Sequence, residues 1–384
     1  MNTAFLPGTF GYDIELIGSQ HELVILKGEN EQSVIAVSPA WQGRVMTSSL
    51  AGPEGKSLGW INHELIQSGR TEEHIHAYGG EDRFWLGPEG GQFSIYFKPG
   101  IQFTFENWFV PEEIDTKPFD IIDQSQSEVS FRKAMSLLNY SNIRFDLLVE
   151  RKVKLLDPKG VSRVLGLETP GLDMVAYESV NTITNTGKNE WTKESGMLSI
   201  WILGMFQPSE STTVIIPFIS GSDSDLGARV NDTYFGKIPD DRLKVAEDVL
   251  FFLADGKKRG KIGISTKRVQ EFMGAYNEET NLLTIVNFTL DKENTDYVNS
   301  MWELQEDPFS GDVINSYNDG PLEDGSQMGP FFELESSSPA AGLAPGSSLT
   351  HVHRTIHITG DKAKLDSISQ KVLGVTLAEV YAAF

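Results

Sequence analysis

Gly329-Pro330-Phe331-Phe332-Glu333-Leu334-Glu335-Ser336-Ser337-Ser338-Pro339 is the stretch on which the fold reading turns. Proline brackets an alternating run, and alternation sends successive side chains to opposite faces of a strand. Glu333 and Glu335 therefore share one face, with Phe332 and Leu334 on the other. Two carboxylates side by side repel, and one of such a pair has a raised pKa suited to proton transfer near neutral pH. Leu343-Ala344-Pro345-Gly346 follows as a turn, and then a strand carrying His351, His353 and His357.

The same pattern recurs outward from this stretch. Strands are expected at 92–96, 102–105, 129–137, 145–155, 176–184, 197–205, 214–217, 250–253, 271–276, 282–290, 301–305, 331–336 and 349–358, with meandering strands over 13–37 from the alternation of Ile14, Leu16, Leu23, Ile25, Ile35 and Val37. Turn chemistry such as Asn185-Thr186-Gly187 and Asp255-Gly256 separates many of them. More than a dozen strands without amphipathic helices between them predict an all-β fold of stacked antiparallel sheets. Helices are expected only at the end: Leu365, Ile368 and Val372 recur at helical spacing over 362–373, and Thr376 caps a last short helix. No low-complexity linker or repeat divides the chain, so it reads as one domain, 1–384, with 361–384 a helical tail.

Composition narrows the partners. Lys and Arg number 32 against 54 Asp and Glu, a net charge of −22. Such a surface repels phosphate backbones and anionic lipid, which excludes nucleic acid and membrane as partners and leaves neutral sugars and cations. Cysteine is absent, which excludes disulfides, thiolate metal sites and cysteine nucleophiles. With no apolar targeting or spanning segment the chain reads as soluble, cytoplasmic, or periplasmic if a leader has been trimmed.

Two further segments concentrate polar and aromatic residues. His74-Ile75-His76-Ala77-Tyr78-Gly79-Gly80-Glu81-Asp82-Arg83-Phe84-Trp85-Leu86-Gly87-Pro88-Glu89 places His74 and His76 on one face if it is a strand. Its paired glycines allow close backbone approach to a ligand, Tyr78 and Trp85 suit stacking on a sugar ring, and Glu81, Arg83 and Glu89 suit hydroxyl binding. The alternative is that Phe84 and Trp85 are core and the charges solvated. Asn315-Ser316-Tyr317-Asn318-Asp319-Gly320-Pro321 reads first as a turn, with Asn318 or Asp319 placed to touch a ligand at a rim. His-x-His occurs at His74/His76 and at His351/His353, a spacing that chelates zinc or copper, so a divalent metal at the histidine and carboxylate residues stands against the expectation of no cofactor.

The Glu333-Leu334-Glu335-Ser336-Ser337 run, with Leu343-Ala344-Pro345-Gly346-Ser347 after it, resembles the aldose 1-epimerases and their bacterial relatives in the galactose mutarotase-like superfamily. Ser38-Pro39-Ala40-Trp41-Gln42-Gly43-Arg44-Val45 resembles that family's opening strand and turn, and Gly79-Gly80 its paired glycines. The resemblance implies an antiparallel β-supersandwich, a sugar or oligosaccharide ligand and Glu335 as general base. It also implies two histidines that this chain lacks: Tyr78 precedes the glycines, and Thr186 follows Thr184-Asn185 where the general acid belongs. The acid role then moves to His76, with His74, Tyr78, Glu81, Arg83, Trp85, Glu89, Asn318, Asp319, Glu333, His351 and His353 as sugar-binding residues. Isomerisation at an anomeric centre, glycosidic cleavage by paired carboxylates, and carbohydrate binding without catalysis all remain open on this reading.

Overall fold

A computed structural model describes residues 4–384. Its strands, in chain order, are β1 (Val24–Lys27), β2 (Val34–Ser38), β3 (Arg44–Ser49), β4 (Arg83–Gly87), β5 (Asp120–Gln124), β6 (Glu128–Leu138), β7 (Arg144–Leu155), β8 (Asp173–Asn185), β9 (Ser199–Phe206), β10 (Thr212–Pro217), β11 (Leu243–Val245), β12 (Val249–Leu253), β13 (Gly260–Ser265), β14 (Phe272–Asn277), β15 (Leu282–Phe288), β16 (Asp312–Asn318), β17 (Phe332–Ser337) and β18 (Ser348–Thr359). Helices α1 (Phe10–Gly18), α2 (His63–Ser68), α3 (Glu112–Asp115), α4 (Pro158–Leu165), α5 (Asp223–Leu226), α6 (Lys362–Leu373) and α7 (Leu377–Tyr381) intervene or follow.

The strands form a ten-stranded sheet, β11-β12-β10-β14-β15-β18-β8-β7-β6-β5, a five-stranded sheet, β13-β16-β17-β9-β4, and a small sheet, β1-β2-β3. Every pairing of named strands is antiparallel. The two large sheets pack face to face. Phe84 and Leu86 of β4 and Ile200 and Ile202 of β9 meet Phe131, Val149 and Tyr177 of β6, β7 and β8. Ile262, Ile264, Phe332 and Leu334 meet Val214, Ile216 and Phe252. The opposite face of the large sheet buries Ile215, Ile285 and Ile356 under Leu165 of α4, Leu365 and Ile368 of α6 and Val380 of α7. The all-β antiparallel sandwich with a C-terminal helix is thus as the alternation predicts. Residues 362–373 are helical over the expected span, and Thr376 closes a capping box with Glu379.

Several local expectations are corrected. Residues 10–18 form a helix and not a strand: Thr9 caps it, and the buried Phe10, Asp13, Leu16 and Ile17 recur every three or four residues, a helical period that a window on Ile14 and Leu16 hides. Helices are also not confined to the end. Residues 92–96, 102–105 and 301–305 form no strands, because their aromatics pack on one another in irregular loops: Tyr96 stacks on Trp108 at 6.0 Å, Trp108 on Trp302 at 5.8 Å, and Phe97 meets Trp302 edge-on at 5.2 Å. Residues 315–318 of the stretch read as a turn, 315–321, belong instead to the strand Asp312–Asn318, and Asp319, Gly320 and Pro321 follow it as irregular chain.

Candidate functional site on the five-stranded sheet

Alternation along the five-stranded sheet leaves one face on the core and aligns polar and aromatic side chains on the other. The register pairs Lys261 with Tyr317, Tyr317 with Glu333, Asn315 with Glu335, Glu335 and Arg83 each with Leu203, and Trp85 with Trp201. Five strands drawn from positions 83 to 335 thereby place two carboxylates, two cations, two indoles and a phenol on one surface.

Glu335 sits at its centre, fully buried. Its Oε2 accepts from the Trp201 indole at 2.9 Å and from Lys261 Nζ at 3.1 Å, while its Oε1 has no hydrogen-bond partner. The Lys261 ammonium also lies 4.7 Å from the Trp201 ring centre and 5.6 Å from that of Tyr234. Burial pulls the Lys261 pKa down, but the carboxylates of Glu335, Glu89 and Glu333 outweigh it and hold the ammonium charged, with its pKa above the ordinary lysine value. Glu335 is thus an acceptor with one oxygen fixed and one free.

Glu333 pairs with Arg83, both buried. Burial pushes the Glu333 carboxyl up against the opposing pull of Arg83, and Glu335 adds to the rise. The Arg83 guanidinium lies 5.0 Å from the Trp85 ring centre, and Trp85 meets Trp201 edge-on at 5.7 Å. Arg83 Nε and Trp85 Nε1 are buried without partners, so two donors join the free Glu335 oxygen on this face. Around the rim, Tyr234 donates to Asp312 at 2.6 Å and receives from Asn315 at 3.2 Å. Tyr317 donates to Asp319 at 2.8 Å and receives from Arg259 Nε at 3.2 Å, and Arg259 lies 3.7 Å from the Phe235 ring centre. Trp60 and Phe331, 4.8 Å apart, close one side.

Of the residues singled out from sequence, Glu335, Glu333, Arg83 and Trp85 come together here. Asp319 reaches the group through Tyr317, and Glu89 lies in the electrostatic field of Lys261 and Glu335. The others lie elsewhere. His76 Nδ1 contacts Asp115 at 2.8 Å and its Nε2 accepts from the Glu72 backbone at 3.0 Å, which occupies both ring nitrogens. The bond to Asp115 raises its pKa against the effect of burial. His74 bonds the Trp108 carbonyl at 2.8 Å between Phe105 and Phe109. Tyr78 stacks on Trp41 at 4.3 Å. The glycine pair approaches protein and not an open face: a Cβ on Gly79 would lie 2.0 Å from the Trp60 carbonyl. Glu81 is buried among Ser48, Tyr177 and His357.

His351 and His353 lie inside the sandwich, both bonded at 2.8 Å to Ser336, which points opposite to Glu335 on β17. Burial pushes their pKa values down to about 3 and about 4. Asn318 locks a turn through the Gly256 amide and the Lys258 carbonyl. Among the described residues no three His, Asp or Glu side chains assemble into a metal-holding group, and no helix is long and apolar enough to cross a membrane.

Sequence reading missed Lys261, Trp201, Tyr234 and Arg259. In Gly260-Lys261-Ile262-Gly263-Ile264 the alternation was there to find, with Lys261 opposite the buried isoleucines. Trp201 is hidden in Ile200-Trp201-Ile202-Leu203, an apolar run buried on both faces in which hydropathy carries no face signal.

The antiparallel sandwich that carries this face is similar in fold to several solved structures, galactose mutarotase-like proteins among them. A protein designated Slr1438 from Synechocystis sp. PCC 6803 has the same fold, with a TM-score of 0.52 at 14% identity over 89% of this chain and 97% of that one. A proposed aldose 1-epimerase from Escherichia coli K12 matches with a TM-score of 0.53 at 10% identity, over 88% and 98%. A galactose mutarotase-like protein from Lactobacillus casei ATCC 334 matches with a TM-score of 0.50 at 9% identity, over 88% and 100%. No curated protein matches in sequence. Residues 8–384 match the family described as "Family of unknown function (DUF6786)", and the chain belongs to that family.

Proposed function

We propose that this face of the five-stranded sheet binds a sugar and that Glu335 acts as general base at its anomeric hydroxyl. The observation that carries the reading is the Glu335 carboxylate, with Oε2 held by Trp201 and Lys261 and Oε1 free. Indole faces suit the apolar face of a pyranose, and the unpartnered Arg83 Nε and Trp85 Nε1 supply donors for its hydroxyls. The likeness in fold to a proposed aldose 1-epimerase and a galactose mutarotase-like protein supports the substrate class by analogy.

In the reaction, Oε1 takes the proton of the C1 hydroxyl, the bond between C1 and the ring oxygen breaks, and the ring oxygen takes a proton from solvent. Rotation and reclosure give the other anomer. Each positioned acid or base in such a step contributes on the order of 10²- to 10⁴-fold. Glu335 is fully covered, so entry of a ring requires the side chains over it to move; the segment bearing Tyr234, whose ring centre lies 5.6 Å from the Lys261 ammonium, is fastened to β13 by the Asn231 and Gly263 backbones at 2.9 and 2.8 Å.

The test follows interconversion of freshly dissolved aldose anomers by NMR. Acceleration by the native protein and its loss in Glu335→Gln are expected. Sugar binding without acceleration by any common aldose would remove the isomerase and leave a binding protein; absence of binding would remove both.

A further inference from the structure

Four neighbouring strands of the large sheet, β12, β10, β14 and β15, reach the same end of it, and the segment 290–297 and the last turn of α6 close over that end to leave a cleft of about 800 Å³. Antiparallel pairing assembles its sides. The Phe218 amide, just past β10, donates to the Asp248 carbonyl, just before β12, at 2.8 Å, and Glu271 and Phe272 at the start of β14 stand beside the end of β15. We propose that this cleft is a second binding site, shaped for a neutral oligosaccharide. It shares no residue with the face that bears Glu335, and neither site needs the other.

The floor is apolar, with one unmet polar atom. Phe218, Val269 and Tyr297 lie buried at the base, and Phe272 and Leu290 are half-buried beside them. The Tyr297 amide donates to the Phe309 carbonyl at 3.0 Å, and its carbonyl accepts from the Gly311 amide at 2.8 Å, which holds the backbone beneath the ring. The Tyr297 hydroxyl is buried without a hydrogen-bond partner and lies in the electrostatic field of the Asp291 carboxylate on the wall. A buried hydroxyl left unpaired costs stability, and a ligand hydroxyl in the cleft supplies the missing partner.

The walls carry unpaired charge of both signs. Among the described residues Asp248, Glu271, Asp291, Lys292 and Lys371 make no ion pair. Carboxylates accept from hydroxyls, ammoniums donate to them, and the amides of Gln270 and Asn294 do both, so the walls suit a ligand with many hydroxyls and no net charge. A polyanion meets three carboxylates on a chain of net charge −22. Those carboxylates do not gather into a metal-holding group. The cleft stands toward the upper end of the range of ligand sites, roughly 300–1,000 Å³, and a single pyranose does not fill it. Aromatic rings at its base suit the apolar faces of sugar rings.

The walls are held in place without a ligand. The buried Arg268 donates to the Ile219 and Gly221 carbonyls at 2.9 and 3.2 Å, and Asp291 Oδ1 accepts from the Glu293 and Asn294 amides at 3.1 and 3.3 Å. A site already formed loses little freedom on binding.

The experiment titrates maltotriose, cellotriose and mannotriose by calorimetry into native protein, Tyr297→Phe, Glu271→Gln and Glu335→Gln. At least one trisaccharide should bind the native protein and raise its melting temperature. Tyr297→Phe removes only the hydroxyl: the free protein should melt no lower than the native one, while affinity falls about 3- to 10-fold. Glu271→Gln, on the exposed wall, should weaken binding by a similar factor, and Glu335→Gln should still bind. Binding lost in Glu335→Gln and unaffected by Tyr297→Phe and Glu271→Gln moves the ligand to the sheet face and overturns the cleft. Binding indifferent to all three substitutions, or no binding of any of the three trisaccharides, overturns it as well. Anomer interconversion, measured separately, decides the role of Glu335 whichever of these results is found.

Discussion

The five-stranded sheet carries buried charge on both sides, and the two sides differ in how far the charge is closed on itself and in what surrounds the atoms left over. Toward the large sheet, Arg151 donates to Asp82 at 2.6 Å, to the Gly43 carbonyl at 3.0 Å and to Asn181, and Glu81 accepts from Ser48 and Tyr177 at 2.9 Å and contacts His357 at 3.0 Å. These groups meet most of one another's valences, although Asp82 Oδ2 is left without a partner. On the outer face Glu335 Oε1, Arg83 Nε and Trp85 Nε1 are left over within one patch. Buried polar atoms cost stability unless paired, so a concentration of unpaired ones beside aromatic rings marks where a ligand completes the network. Burial of charge alone does not identify the site; the unspent valences do.

The contrast is broken most directly by exchanging the two kinds of substitution. Glu335→Gln should lower anomer interconversion by about 10²- to 10⁴-fold at a smaller cost in stability than a change at Arg151, because the Gln carbonyl still accepts from Trp201 and Lys261 and Glu89 and Glu333 still face the Lys261 ammonium. Arg151→Met should do the reverse: it strands the Asp82 carboxylate and costs about 3–5 kcal/mol of stability, read by denaturant unfolding, while any protein that remains folded keeps its activity. Equal effects of both on stability would erase the distinction between the faces.

Trp201→Phe sharpens it. It keeps an aromatic surface and removes the one hydrogen bond from Trp201 to Glu335; rate should fall more than sugar affinity. The smallest effect at neutral pH belongs to His351→Asn with His353→Asn. Both imidazoles are held neutral by burial, with pKa values near 3 and 4 against an unfolded value of 6.5. The unfolded chain therefore binds more protons between about pH 6.5 and 3. Native stability is complete above that window and declines as pH falls through it. The double variant should show a shallower fall of melting temperature between pH 7 and 4.5, and an unchanged slope would remove the histidines from the acid sensitivity.

Much of this was legible in residues. Phe332-Glu333-Leu334-Glu335 states which side chains share a face, and Leu365, Ile368 and Val372 state a helix, because a period of two or of 3.6 is a property of neighbours along the chain. Asn318-Asp319-Gly320-Pro321 shows how local chemistry misleads: Asn315 to Asn318 end a strand whose Asn315 and Tyr317 face the site, and the chain turns only later, at 322–326. Residues 92–105 mislead in another way, since their aromatics alternate as in a strand while they pack as a loop against Trp302.

Strand alternation along 332–337 and its recurrence along the chain were enough to specify a β-sandwich and to put two glutamates on one surface. What no stretch of chain contains is the company those glutamates keep. Arg83 meets Glu333 across 250 positions and Lys261 meets Glu335 across 74, by way of strand register, and the tie of His76 to Asp115 is made by the return of a short helix. Side-chain direction follows from local backbone geometry, whereas hydrogen-bond partnership follows from which strands lie side by side, and that is settled when the two sheets close on their common core.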